Sequence, residues 1–320
     1  MSRPILAVAE RQRLFAARRV NIPEQNMITT IRLALVAALL LGGATLLGAG
    51  QAGASVESAC GTALSPAEVS AIADLSDTSK LTGSSLEQLT QAVEQHRQLT
   101  EILVEHRDLR GVFALGLDAV EQAAVMPLQR APASFADPEW AHRISLELLS
   151  RFLRNVHAEF TGAQTDPQWT NYFDLARRCE LSPARVAMAG YDAHLSVDLS
   201  YAVAAVGGTP ANAGDYFKIV DAIAQQGSLI VSSTKEIYHG DLGPLWRFYF
   251  VGEGLDLVVG QGVGTPQLLR LADAGANVVI FGNGLALTDP ALAPAARVEI
   301  DALWRSADVA FEVLSRLGGL

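Results

Sequence analysis

Cysteine is nearly absent from this chain: Cys60 and Cys179 are the only two in 320 residues. Their wide spacing excludes a Cys-x-x-Cys redox pair and any zinc knuckle, since both need closely spaced thiols. The Gly-x-Ser-x-Gly elbow of serine hydrolases, a Walker phosphate loop and His-Glu-x-x-His are missing too, which removes the best-defined nucleophile, nucleotide and zinc-protease motifs. No Asn-Gly or Asp-Gly pair sits between alternating apolar runs, so signals for β-hairpins are scarce. The longest apolar stretch, Leu33 to Leu47, is broken by Gly42 and Gly43 and followed by Gly48, Gly50 and Gln51. That pattern fits a membrane span poorly.

It fits a secretory signal better. Met27-Ile-Thr-Thr-Ile-Arg32 supplies one basic residue, the apolar stretch follows, and Ala52-Gly53-Ala54 is a small-x-small cleavage motif. The expectation is a secreted or extracytoplasmic protein whose mature chain begins near Ser55 as a single domain of residues 55–320, with no transmembrane anchor. Residues 1–26 carry Arg11, Arg13, Arg18 and Arg19 and are long for a signal n-region, so Met27 is the expected true start. Lipidation of Cys60 is disfavoured because Glu57 stands where an apolar residue is wanted. In an oxidising compartment the expected state is a Cys60–Cys179 disulfide, with two unrelated buried thiols as the alternative.

Removing residues 1–54 takes away six arginines and two glutamates, so a net charge of −10 becomes −14. An acidic domain repels nucleic acid and anionic membranes, and leaves cations, neutral lipids and small molecules as partners.

Helix punctuation fills the rest. Ser65-Pro66, Asp137-Pro138, Asp166-Pro167, Ser182-Pro183, Thr265-Pro266 and Asp289-Pro290 each put a capping side chain before a proline suited to the first helical position. Ser65 with Glu68 and Ser84 with Glu87 fit the capping box. Leu86, Leu89, Val93, Leu99, Ile102 and Leu103 recur at helical spacing, as do Ile144, Leu148, Phe152, Val156 and Phe160. The predicted fold is all-α, a multi-helix bundle with Gly-rich loops in its C-terminal part.

One predicted helix, Pro183 to Val206, is apolar or small almost all round, which marks it as central. Its polar residues form two lines, Tyr191, His194, Asp198 and Tyr201 on one side and Asp192, Ser196 and Ser200 on the other. A His and an Asp one turn apart can share a metal ion such as zinc, or belong to a hydrogen-bonded network that fixes the helix in place. Further ligands or a general base would come from Asp118, His157 or Glu159, with His142 and His239 as additional candidates. Asp118 draws most interest, being an acid in the apolar stretch Gly111 to Val125. His96, His106 and His142 each precede an arginine and are expected to be solvated. Gly260-Gln-Gly262-Val-Gly264 misses the dinucleotide fingerprint by one residue and, with Gly282 and Gly284, reads best as tight connections between helices.

Phe135-Ala-Asp-Pro-Glu-Trp140, Gly190-Tyr-Asp-Ala-His194-Leu-Ser-Val-Asp198-Leu199 and Asp215-Tyr-Phe217 resemble an uncharacterised bacterial family, domain of unknown function 5995, over roughly residues 85–225. The family centre, Asn-Ala-His-Ile-Asn-x-Asp-Leu-Pro, matches at His194, Asp198 and Leu199, while Asp192, Ser196 and Ser200 depart from it. The resemblance implies a helical fold and singles out His194 and Asp198. The His-x3-Asp spacing is also similar to zinc-dependent helical hydrolases, although the second His they carry soon after the Asp is missing here. Two functional readings follow: a metal-dependent hydrolase of the phosphoesterase or phospholipase kind, or a helical scaffold holding a lipid or small molecule.

Overall fold

A computed structural model describes residues 59–131, 133–242, 265–316 and 320. The expected signal segment and the 260–264 glycines lie outside the described residues.

Among the described residues there is no strand. The helices are α1 (Pro66–Leu75), α2 (Ser85–Glu105), α3 (Val112–Val120), α4 (Met126–Gln129), α5 (Pro138–Thr161), α6 (Pro167–Ala176), α7 (Pro183–Asp192), α8 (Leu199–Ala205), α9 (Ala213–Ala224), α10 (Gly227–Tyr238), α11 (Thr265–Thr288) and α12 (Ala293–Arg316). Two π-helical turns, Glu121–Val125 and Ala193–Asp198, bridge α3 to α4 and α7 to α8, so each pair runs on as one helix.

The punctuation works largely as the residues dictate. Ser65 and Ser84 both close reciprocal capping boxes with Glu68 and Glu87, and the Asp137 and Ser182 side chains accept N–H bonds at the starts of α5 and α7. Asp166 departs from the pattern: its carboxylate accepts from Asn155 Nδ2 at 3.0 Å rather than capping α6.

Phe113 on α3 sits at the centre of the core, its ring 5.0 Å from Phe152, 5.4 Å from Trp169, 5.1 Å from Tyr191 and 5.2 Å from His194. Side chains of this size stabilise the fold by roughly 1.5–3 kcal/mol each when buried. The stretch Leu109–Gln129 is long and apolar enough to cross a membrane, but most of it is covered by the rest of the bundle.

The α7–π–α8 helix is central, as its composition predicts, with every residue from Ala184 to His194 buried. The C-terminal glycines require a correction. Gly282 and Gly284 do not make loops; they lie within α11. A Cβ on Gly284 would fall 2.5 Å from Val203 Cβ and 2.9 Å from the Ser200 carbonyl, so only glycine lets α11 cross α8 this closely. Ser200 Oγ donates to the Ile280 carbonyl at 3.2 Å across the same crossing.

Cys60 and Cys179 are joined, with Cα atoms 5.2 Å apart across a sequence separation of 119. The bond fastens the N-terminal segment beside the α6–α7 junction. Backbone bonds hold the same segment to the α2–α3 turn, Ala59 N–H donating to Asp108 Oδ2 at 3.0 Å and Leu109 N–H to the Ala59 carbonyl at 2.8 Å.

Candidate functional site

The central helix carries the polar residues that need an account, because a buried polar group without a partner costs about 1–3 kcal/mol. Asp198 is fully buried and fully served: Gln168 Nε2 donates to Oδ1 at 2.9 Å and Trp169 Nε1 to Oδ2 at 2.8 Å, both from the first turn of α6. Burial pushes its carboxyl up to about 7, against the opposing pull of the two donors. Asp192 is likewise raised to about 7 by burial and accepts from Ser196 Oγ at 2.6 Å.

His194 differs. Its Nδ1 is buried and has no hydrogen-bond partner among the described residues. Burial, helped by the charge of His96, drives its pKa down to about 3, so the imidazole is neutral at ordinary pH. One line from Tyr191 through His194 and Asp198 to Tyr201 presumes an unbroken α-helix, and the π turn inserts a residue into that line. Tyr191 and His194 line one cavity; Asp198 is not in its wall, and Tyr201 faces a different pocket, beside Arg151, Val197 and Trp304.

That cavity, of about 490 Å³, lies between α3, α5, the central helix, α9 and α10, with Asn277 of α11 at its edge. Its wall is mostly aliphatic, with Leu117, Val120, Ile144, Leu148, Val220 and Ile230 prominent. The polar exceptions include His194, Tyr216 and Asn277, of which Tyr216 Oη donates to Asn277 Oδ1 at 3.1 Å. Ile219, Val220 and Ile223 on α9 are only half-buried, leaving apolar surface for an occupant to cover. Volume and lining are those of a small-molecule site.

Two of the sequence segments that flank the central helix also meet beside this cavity. The Asp215 carboxylate accepts the N–H groups of Ala136 at 2.9 Å and Asp137 at 2.7 Å, tying the start of α9 to the start of α5. Next to it, Tyr216 lines the cavity and packs 4.7 Å from Phe281.

The remaining candidates do not converge on His194 and Asp198. His157 Nδ1 donates to the Ala73 carbonyl at 2.8 Å. Glu159 accepts from Arg110 at 3.2 Å and from Arg177; Arg110 is itself buried, paired with Asp108 at 2.6 Å and stacked 4.4 Å over Phe160. His142 donates to the Gln129 carbonyl at 3.1 Å and His239 lies 3.4 Å from Arg107. Neither catalytic nor metal-binding roles for these residues alongside His194 find a geometric basis.

Asp118 does find partners, though not the expected ones. Ligand atoms of His96, Asp118 and Glu121 lie within 4.8 Å of one another. His96 is not solvated: it is fully buried, with Nδ1 2.6 Å from Glu121 Oε2. Burial raises the Glu121 carboxyl, partly offset by the His96 charge and hydrogen bond. Sequence spacing held the clue, for His96 continues the Leu89, Val93, Leu99, Leu103 face of α2, and Asp118 and Glu121 stand one turn apart in an apolar helix. The adjacent Arg97 turns outward to Glu94 and Glu101.

The model of a family of unknown function (DUF5995) matches residues 89–249. The chain belongs to this family. The matched segment runs from α2 to beyond α10 and contains most of the cavity wall, the His96–Asp118–Glu121 group and the Asp215 clamp. No curated protein and no solved structure gives a significant match.

Proposed function

We propose that this DUF5995 member is an exported, non-catalytic binding protein that holds a small apolar molecule or neutral lipid in the cavity walled by α3, α5, the central helix, α9 and α10. The observation that carries this reading is the aliphatic cavity of about 490 Å³ with a neutral imidazole, His194, in its wall. Apolar burial drives occupancy, while His194, Tyr216 and Asn277 offer orientation to one polar end. An acidic protein selects neutral over anionic ligands. Export is supported by the Met27–Ala54 segment and by the Cys60–Cys179 bond, which persists in oxidising compartments. A hydrolase whose zinc sits on His194 and Asp198 is the weaker reading, because both Asp198 oxygens already accept hydrogen bonds from neutral donors.

The test uses Nile red, a neutral dye that brightens in apolar surroundings. Saturable binding at one equivalent is expected, with affinity reduced about tenfold or more in Val220→Trp, whose half-buried side chain grows into the cavity. Non-saturable binding, or equal affinity in the parent and Val220→Trp, would overturn the proposal.

A further inference from the structure

We propose that His96, Asp118 and Glu121 form a binding site for one divalent transition cation of the zinc or manganese class, separate from the apolar cavity. The three side chains come from two helices packed side by side, His96 from α2 and the two carboxylates from successive turns of α3 and its π extension. Their ligand atoms are within 4.8 Å of one another, close enough for a modest contraction to bring all three onto one ion. One imidazole with two carboxylates suits zinc or manganese better than calcium, which takes six or more oxygens.

The surroundings ask for a cation. Glu121 is buried, Asp118 is half-buried one turn away, and no lysine or arginine among the described residues forms an ion pair with either. One imidazolium could balance only one of the two carboxylates. His96 is entirely buried and only Nδ1 has a partner; Nε2 is buried with none. Nδ1 is the nitrogen on the Glu121 side and the one that would ligate an ion, while Nε2 lies on the far edge of the ring. The site reaches solvent on the Asp118 side, where exposed Gln122 donates to Asp118 Oδ1 at 3.1 Å, so an ion has an entry path. Glu121 opens a π turn, a backbone feature concentrated at functional positions. Leu117 and Val120, on the same turns, line the cavity, whereas His96, Asp118 and Glu121 form no part of its wall.

The experiment strips the purified protein with a chelator, removes the chelator, and titrates Zn²⁺ by calorimetry, with thermal melts of the same samples. One equivalent should bind saturably and raise the melting temperature. Asp118→Asn, at a half-exposed position, should melt like the parent without metal and bind zinc at least about tenfold more weakly; Glu121→Gln, which keeps an oxygen toward His96, should do the same. Val220→Trp should bind zinc as the parent does, so failure of the cavity reading and failure of this one are told apart. Absence of saturable zinc binding, or parent-like affinity in both Asp118→Asn and Glu121→Gln, would overturn the site.

Discussion

Asp198 and His194 stand one turn apart on the same buried helix, and their surroundings separate what holds this fold together from what the fold leaves available. Asp198 meets two neutral donors on α6, Gln168 and Trp169, and has no remaining need. His194 meets the ring of Phe113 and a cavity, with one nitrogen unpartnered. A buried polar group with all its bonds made is explained by stability alone. One with bonds unmade in the wall of a cavity calls for a different account, and the family match spans both.

The largest effect expected from breaking this contrast is at Asp198. Asp198→Ala removes the acceptor for two buried donors, and leaving Gln168 Nε2 and Trp169 Nε1 unpaired should cost about 3 kcal/mol. Chemical denaturation of parent and variant measures it. A loss below about 1 kcal/mol would mean that the α6 contact does not anchor the central helix.

Acidity provides the next effect, with opposite signs at the two residues. Asp198 is protonated more readily folded, at about 7, than at its ordinary 3.8, so its contribution is fully present below about pH 4 and is lost as pH rises toward 7. His194 is driven down to about 3 from 6.5, so its contribution is present above about pH 6.5 and is lost as pH falls toward 3. The stability difference between parent and Asp198→Asn should therefore fall with pH between about 4 and 7. The difference between parent and His194→Leu should rise over about 3 to 6.5. Each slope is bounded by about 1.4 kcal/mol per pH unit for one proton. Denaturation midpoints across this range check both, and slopes of the same sign would refute the assigned environments.

The same contrast marks what was legible in the sequence. Local chemistry reads well: capping boxes at Ser65 and Ser84, proline-marked starts at Pro66, Pro138, Pro167 and Pro183, and the all-round apolar character of the central helix all carry through to the structure. The Cys60–Cys179 bond follows from having only two thiols to pair. What the sequence conceals is non-local. The π turn at Ala193–Asp198 leaves no mark in a run of small and apolar residues, yet it disturbs the side-chain line on which a shared His194–Asp198 site depended. Glycine spacing in α11 looks like loop chemistry because close helix crossing and tight turning favour the same residue. His96 reads as solvated because its neighbour Arg97 is, although helical spacing alone places the two on different faces.

The smallest expected effect is on stability when the unpartnered imidazole is replaced. His194→Leu removes a polar group that gives no bond to the fold and substitutes an aliphatic one beside Phe113, so stability at pH 7 should change by less than about 1 kcal/mol, and a gain is allowed. The same variant leaves the aliphatic wall around Leu117, Val120 and Ile230 in place. Nile red, which depends on that wall, should bind within about threefold of the parent, whereas an occupant that hydrogen-bonds His194 should lose about 0.5–1.5 kcal/mol, or roughly two- to tenfold in affinity. Calorimetric stability with dye titration on one preparation decides the matter. A loss of several kcal/mol would show that His194 is anchored as Asp198 is, and the distinction between the two would collapse.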